Sequence, residues 1–222
     1  MNERYIRQIM IPEIGEAGQE KLKNAKVLIV GIGGLGSPIS LYLTAAGVGQ
    51  IGLIDDDIVS KSNLQRQILY TEAEIGQSKV ECACRRLSAL NSSTRFETYP
   101  NRFTPDNANR LVSAYDIIVD GCDNAATRYL IDDVCSRFKK PYVYGSISEF
   151  RGQVSVFNYR GGSRYSDLYP RPEVIPPARP GGIIGCMEAA EVIKIITGYG
   201  EVLSGKLFLL DTQTLQHEII EI

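Results

Sequence analysis

Histidine is almost missing from this chain. His217 is the sole one among 222 residues, and it falls in a late strand-like stretch away from every motif described below. Chemistry that depends on an imidazole base beside those motifs is therefore disfavoured. Cysteine is scarce and irregular: Cys82, Cys84, Cys122, Cys135 and Cys186 make an odd count with no Cys-x-x-Cys pair. That argues against a disulfide scaffold and a structural zinc site, and leaves reduced, mostly buried thiols. No apolar run approaches the roughly 20 residues a bilayer span needs. Met1-Asn-Glu-Arg-Tyr-Ile-Arg lacks the apolar core of a signal peptide. An excess of positive charge is also absent. The net charge is −2, so neither nucleic acid nor an anionic membrane is an expected partner. What remains is the expectation of a cytoplasmic enzyme. Its 44% hydrophobic content suits one globular domain over residues 1–222.

The hydrophobic pattern alternates between strands and helices. Ile9–Lys23 reads as an entry helix. Val27–Val30 is a continuous apolar strand, as expected where both sheet faces are covered. Ser37–Ala46 reads as a helix closed by Gly47, and Ile51–Ile54 as a second strand. Glu74–Leu90 is a helix with Val80, Cys84 and Leu87 spaced for one buried face. Thr94–Tyr99, Tyr115–Val119 and Pro141–Gly145 are strands. Pro105–Ser113 and Ala125–Phe138 are helices between them. The order predicts an α/β, Rossmann-like, doubly wound and mostly parallel sheet. After residue 150 the pattern changes. Gly152–Tyr159, Lys206–Asp211 and His217–Ile222 read as a C-terminal antiparallel extension, with Ile183–Thr197 as the last helix. Between them, about residues 161–182, lies a Pro-, Gly- and Arg-rich stretch that reads as an exposed crossover.

Gly31-x-Gly33-x-x-Gly36 stands between a strand and a helix. Glycines there permit a tight turn and close approach of phosphate to backbone, while the helix start offers N–H donors. That context makes a nucleotide site the better reading than a purely structural turn. Asp55 ends the second strand, where the ribose-binding acid of such folds belongs. Asp56 and Asp57 read as loop or cap residues. These features alone suit a nicotinamide or flavin enzyme equally well. Asn63-Leu-Gln-Arg66-Gln67 shifts the balance, because a guanidinium at the carboxyl edge of the sheet can grip phosphate oxygens. Hydride transfer needs no such group; phosphoryl or nucleotidyl transfer does. Lys79 in Gly76-Gln-Ser-Lys79 fits the same reading, although most lysines are simply solvated. Asp120 and Asp123 follow a later parallel strand, where ligands bind in open α/β sheets. Asp123 could hold Mg²⁺ or order phosphates, and Asn124 could cap the next helix.

Taken together, Arg4-Tyr-Ile-Arg-Gln8, Gly31 to Gly36, Asp55 to Gln67, Gly76 to Lys79, Gly121-Cys-Asp-Asn124, Gly152-Gln-Val154 and the helix over Glu188 to Gly198 resemble the ThiF/MoeB/HesA family. These are bacterial adenylyltransferases related to ubiquitin-activating enzymes, and the pieces occur in order over nearly the whole chain. Within the family the resemblance is strongest to the thiamine-biosynthesis branch. It implies an ATP site built from Gly34, Asp55, Asn63, Arg66, Lys79 and Asp123. It also implies a homodimer in which Arg7 reaches into the partner's site. The implied substrates are Mg·ATP and a small ubiquitin-like sulfur carrier ending in Gly-Gly, ThiS-like or else MoaD-like. The carrier's carboxylate would attack the α-phosphate. Being already ionised, it needs no general base.

The match has gaps. Many relatives carry two zinc-binding Cys-x-x-Cys pairs. Here Arg164 and Asp167 stand where the first would align, and the sequence ends at Ile222 before the second, so no zinc is expected. Some relatives use a crossover cysteine, but none occurs between Cys135 and Cys186. Cys186 starts the final helix, where a thiol pKa can fall, yet it reads as a small packing residue. Two readings of other classes therefore stand beside adenylyl transfer. An NAD-dependent oxidoreductase rests only on the glycine turn and Asp55, and leaves Arg66 and Lys79 without purpose. A non-catalytic carrier-binding module is motivated by the missing cysteines.

Overall fold

The computed structural model describes residues 3–170 and 182–222. Eight strands form one sheet in the order β3-β2-β1-β4-β5-β6-β7-β8. These are β1 (Lys26–Val30), β2 (Gln50–Ile54), β3 (Arg95–Tyr99), β4 (Ile117–Asp120), β5 (Tyr142–Ser148), β6 (Arg151–Phe157), β7 (Lys206–Asp211) and β8 (His217–Glu221). The first five pair in parallel. The last three add by antiparallel pairing, which is the expected extension. The helices are α1 (Ile6–Ile9), α2 (Gly15–Asn24), α3 (Gly36–Ala46), α4 (Lys79–Leu90), α5 (Pro105–Ala114), α6 (Ala125–Phe138), α7 (Tyr165–Leu168) and α8 (Gly182–Thr197).

Strand β1 explains the layering. Val27 and Ile29 face one core with Ile51, Leu53, Val119, Val143 and residues of α3, α4 and α8. Leu28 and Val30 face a second core with Ile54, Ile118, Tyr142, Tyr144 and residues of α5 and α6. All four of these β1 side chains are buried. Each contributes about 1.5–3 kcal/mol by leaving water, so an uninterrupted apolar run suits the middle of a two-faced sheet. Register sets Val30 beside Ile54 on one side and Asp120 on the other. The loops after β1, β2 and β4 thus leave the same edge together. The chain turns outward from β1 in both directions, making a topological switch point between β1 and β4.

Three expected elements differ in detail. The entry helix is two pieces, because Pro12 lies between α1 and α2 and Gly15 takes φ +56°. The expected Glu74–Leu90 helix is a 3-10 turn at Glu72–Glu74 followed by α4, separated by Gly76 at φ +87°. Glu74 Oε2 accepts from both Thr71 N (2.8 Å) and Thr71 Oγ1 (3.1 Å), so this glutamate caps a turn rather than starting a helix. The buried face of α4 carries Val80, Cys82, Ala83 and Leu87, leaving Cys84 half-buried. Part of the expected crossover is ordered as α7. Its start is docked on α6 by Asp132, which accepts from Tyr165 N (3.1 Å) and Arg164 Nη2 (2.9 Å). The remainder of that crossover, 171–181, lies outside the described residues. Among the described residues, no helix is long and apolar enough to cross a membrane.

Candidate nucleotide site

A cleft of about 480 Å³ opens at the switch point, within the range of small-molecule sites. Its lining includes Gly31, Gly33, Gly34, Asp55, Asp56, Asp57, Asn63, Arg66, Gln67, Lys79, Asp123 and Asn124. Candidate residues from five separated stretches therefore line one cleft.

The glycines divide into two jobs. A Cβ on Gly36 would lie 2.1 Å from Gly31 O, and one on Gly121 would lie 2.0 Å from the same oxygen. Gly31 itself needs φ +92°. Gly31, Gly36 and Gly121 therefore let the β1 turn, α3 and the β4 loop touch backbone to backbone, and Gly36 is not part of the cleft lining. Gly33 and Gly34 face the opening. A Cβ at Gly33 would meet the Gln67 amide nitrogen at 3.4 Å, and one at Gly34 the Arg66 stem at 3.4 Å. Bare backbone here is a cradle that side chains would fill.

Asp55 braces the turn from below. Its Oδ2 accepts from Ile32 N (2.7 Å) and its Oδ1 from Asp57 N (2.9 Å). Tyr70 OH donates to Ile32 O (2.7 Å), gripping the same residue. Burial raises the Asp55 pKa, and the nearby Lys79 charge offsets part of that rise. Lys79 is not a solvated lysine: it is 3% exposed. Its ammonium donates to Asp57 Oδ2 at 2.7 Å. Asp57 thus holds the lysine head at the cleft, a role that its place in an acidic run did not reveal. Asn63 O accepts from Arg66 N (3.1 Å) and Gln67 N (2.9 Å), forming the turn that presents both side chains. Arg66 is half-buried, with Nη1 donating to Ser62 O at 3.3 Å. Gln67 is buried, and its Oε1 has no partner among the described residues.

Asp123 is exposed on the β4–α6 loop, and its carboxylate makes no hydrogen bond among the described residues. Asn124 caps α6 by accepting from Thr127 N at 3.0 Å. Asp55, Asp56 and Asp57 bring carboxylate oxygens within 4.8 Å of one another in the same cleft. Arg7 is exposed and lies outside its own chain's cleft. Its segment is anchored by Tyr5, buried against Gly47 and bonded through its hydroxyl to Asn91 Nδ2 (2.8 Å).

Sequence reasoning passed over Arg102, Phe103, Thr127 and Arg128, which also line the cleft. Arg128 left a trace: it falls on the same stripe of α6 as buried Ile131 and Cys135. A charge inside an apolar stripe signals a buried polar contact. Cys82 and Cys135 are buried, whereas Cys84, Cys122 and Cys186 are half-buried, so fewer of the thiols are buried than the sequence led one to expect. Burial raises the pKa of Cys186 despite a hydrogen bond with Tyr42, and raises that of Cys122 strongly. Arg164 and Asp167 pair locally, Arg164 N donating to Asp167 Oδ2 at 2.9 Å.

Comparisons with known proteins identify the family. The ThiF family profile matches residues 5–222. The chain is 45% identical over 233 residues to the probable adenylyltransferase/sulfurtransferase MoeZ of Mycobacterium tuberculosis, covering 99% of this chain and 59% of MoeZ. It therefore spans about three-fifths of that relative's length. It is 42% identical to the sulfur carrier protein adenylyltransferase of Thermus thermophilus, covering 94% of this chain and 83% of that protein. The crystal structure of E. coli MccB with ATP superposes with a TM-score of 0.89 at 25% identity, covering 100% of this chain and 71% of that one. On the match over nearly its full length, this chain belongs to the ThiF family.

Proposed function

We propose that this protein adenylates the C-terminal glycine carboxylate of a small ubiquitin-like sulfur carrier at the expense of ATP, releasing pyrophosphate. The observation that carries the reading is the meeting of Gly33 and Gly34, Asp55, Asn63, Arg66, Lys79 and Asp123 in one cleft. The relatives named as adenylyltransferases support the same reaction class. In this reading the bare backbone at Gly33 and Gly34 takes the phosphates, and Asp55 takes the ribose. A carboxylate oxygen of the carrier bonds to the α-phosphorus as the bond from that phosphorus to the pyrophosphate oxygen breaks. No proton needs to be removed from an α-carboxylate of pKa about 3.3–3.7, which suits a cleft without histidine. Arg66 and the ammonium of Lys79 neutralise charge building on the phosphates. Asp57 keeps Lys79 aimed as that charge develops.

The oxygen-only donor set of Asp123 and the Asp55–Asp57 run suits Mg²⁺. Asp123 is the residue to hold it beside the phosphates, where a bound ion would offset their charge. Arg7, solvent-facing beside the exposed Ile6, Met10 and Ile11, fits a homodimer in which it serves the partner's cleft. A ThiS-like carrier is the leading substrate and a MoaD-like carrier the alternative.

Incubation with Mg·ATP and each carrier, followed by mass spectrometry, reads which one gains AMP. Pyrophosphate exchange reads the step itself. Arg66→Ala should lower exchange by about 10²–10³-fold, the usual loss for one charge-stabilising donor. Absence of exchange with every Gly-Gly-ended carrier, in a folded protein, would overturn the reading.

A further inference from the structure

We infer that Arg128 is the positioning residue for Asp123, acting from beneath through the β4–α6 loop. The inference rests on the adenylation reading for its catalytic consequence, but its structural part stands independently. Arg128 is 1% exposed although it borders the cleft. All three of its guanidinium nitrogens are occupied. Nε donates to Asp120 Oδ2 (2.8 Å), and Nη1 to Ser146 Oγ (3.3 Å). Nη2 donates to Cys122 O (3.3 Å) and Gly145 O (3.1 Å). Its guanidinium carbon also lies 5.2 Å from the Tyr144 ring centre. A guanidinium so enclosed is not free to grip a phosphate as that of the half-buried Arg66 is, which makes a single hydrogen bond among the described residues.

The partners of Arg128 reveal what it holds. Asp120 is the end of β4, Gly145 and Ser146 belong to the neighbouring β5, and Cys122 is in the loop. One side chain therefore ties the loop to two strands. Asp120 completes the grip, its Oδ1 accepting from Cys122 N at 2.9 Å. Both backbone polar groups of Cys122 are thus fixed by the same ion pair. On the other side, Asn124 is fixed as the cap of α6. Asp123 stands between these two anchors, its own carboxylate unbonded among the described residues. Its direction toward the cleft is set by its neighbours. Outer groups that orient a ligand side chain are commonly needed for its function nearly as much as the ligand itself. Arginine suits the task because its rigid fork reaches several acceptors at once, and lysine offers no such fork.

The test uses the full chain with Arg128→Lys, which keeps the charge and loses the fork, and with Ser146→Ala, which leaves the ion pair intact. Hydrogen exchange of the unliganded protein reads the loop directly. In Arg128→Lys, amides of residues 121–124 should exchange faster while those of β1 and α3 stay protected. With carrier and ATP, Arg128→Lys should raise the Mg²⁺ requirement by at least about tenfold. Once Asp123→Asn is present, the same change should matter by less than about twofold, since both act through one group. Ser146→Ala should shift the Mg²⁺ requirement by about two- to fivefold, the scale of one hydrogen bond. It also serves as the deciding variant if Arg128→Lys does not fold. Unchanged loop exchange would overturn the inference. So would equal, multiplying effects of Arg128→Lys with and without Asp123→Asn, or an unmoved Mg²⁺ requirement in Ser146→Ala. An inactive wild type with normal loop protection would instead count against the adenylation reading alone.

Discussion

The two sides of the sheet at β5 each bury a carboxyl group, and they treat it in opposite ways. On the α6 side, Asp120 is fully buried and accepts from Arg128 Nε, Cys122 N and Tyr142 OH. On the α8 side, Glu188 is equally buried, and neither of its oxygens has a partner among the described residues. It presses on Gly145, where a Cβ would stand 2.3 Å from its carboxyl group. Burial, with a smaller push from Asp120, raises the Glu188 pKa far above its ordinary value, and Arg128 offsets only part of this. A buried carboxyl group thus has two solutions: keep the charge and surround it, or hold the proton and lose the charge. The first solution builds the loop that carries Asp123. The second keeps a neutral, polar side chain beneath the first turns of α8.

The sharpest break of this comparison is Arg128→Met. It leaves the Asp120 charge buried without its main partner, which should cost about 3–5 kcal/mol of stability in urea unfolding. Adding Asp120→Asn should restore much of that loss, because an amide needs no counter-charge there. If the double variant were as unstable as Arg128→Met alone, the damage would come from lost packing of the arginine stem rather than from an orphaned charge.

Glu188 should respond with the opposite sign. Its folded-state pKa is raised, so both states hold the proton below the ordinary carboxyl value of 4.5. Above that value the unfolded chain releases a proton that the folded chain keeps. Stability then falls as pH rises, by about 1.4 kcal/mol per pH unit, until the raised folded pKa is reached. Glu188→Gln is neutral in both states and should lose this slope. Unfolding midpoints at about pH 5.5 and about pH 7.5 should therefore separate the two proteins progressively, with the glutamine variant gaining at the higher pH. Parallel profiles would mean that Glu188 is ionised in the folded protein and has a partner.

The contrast also explains what the amino-acid order could disclose. Strand–turn–helix context around Gly31, the acid at Asp55, and the run from Asn63 to Gln67 are local, and each lies just beyond the end of a parallel strand. They were legible because the sheet edge gathers loop residues by topology alone. Lys79 was legible as a candidate, but its burial was not, since that depends on Asp57, 22 residues earlier. Gly36 read as a nucleotide-facing glycine, yet its constraint comes from Gly31 O and the loop at Gly121. Glu188 sat in a helix stripe with nothing nearby to mark it as the partner of a missing Cβ at Gly145. The two breaks at Gly15 and Gly76 were missed for a plainer reason: an apolar period continued through them while a positive φ did not.

The smallest expected effect tests how finely the Asp120 side is balanced. Tyr142→Phe removes one hydroxyl, 3.2 Å from Asp120 Oδ2, and leaves the ring packed among Tyr144, Phe157 and Tyr165. Burial and the neighbouring Asp120 hold the Tyr142 pKa well above its usual value, so this hydroxyl is a donor throughout the working range. Its loss should cost about 1–2 kcal/mol, between a neutral hydrogen bond and one to a charge. The loss should shrink when Asp120→Asn is already present, because the strengthened part of that bond depends on the carboxylate. A cost that persisted unchanged in the Asp120→Asn background would assign the hydroxyl to packing and leave Arg128 and the Cys122 amide as the groups that stabilise the buried charge.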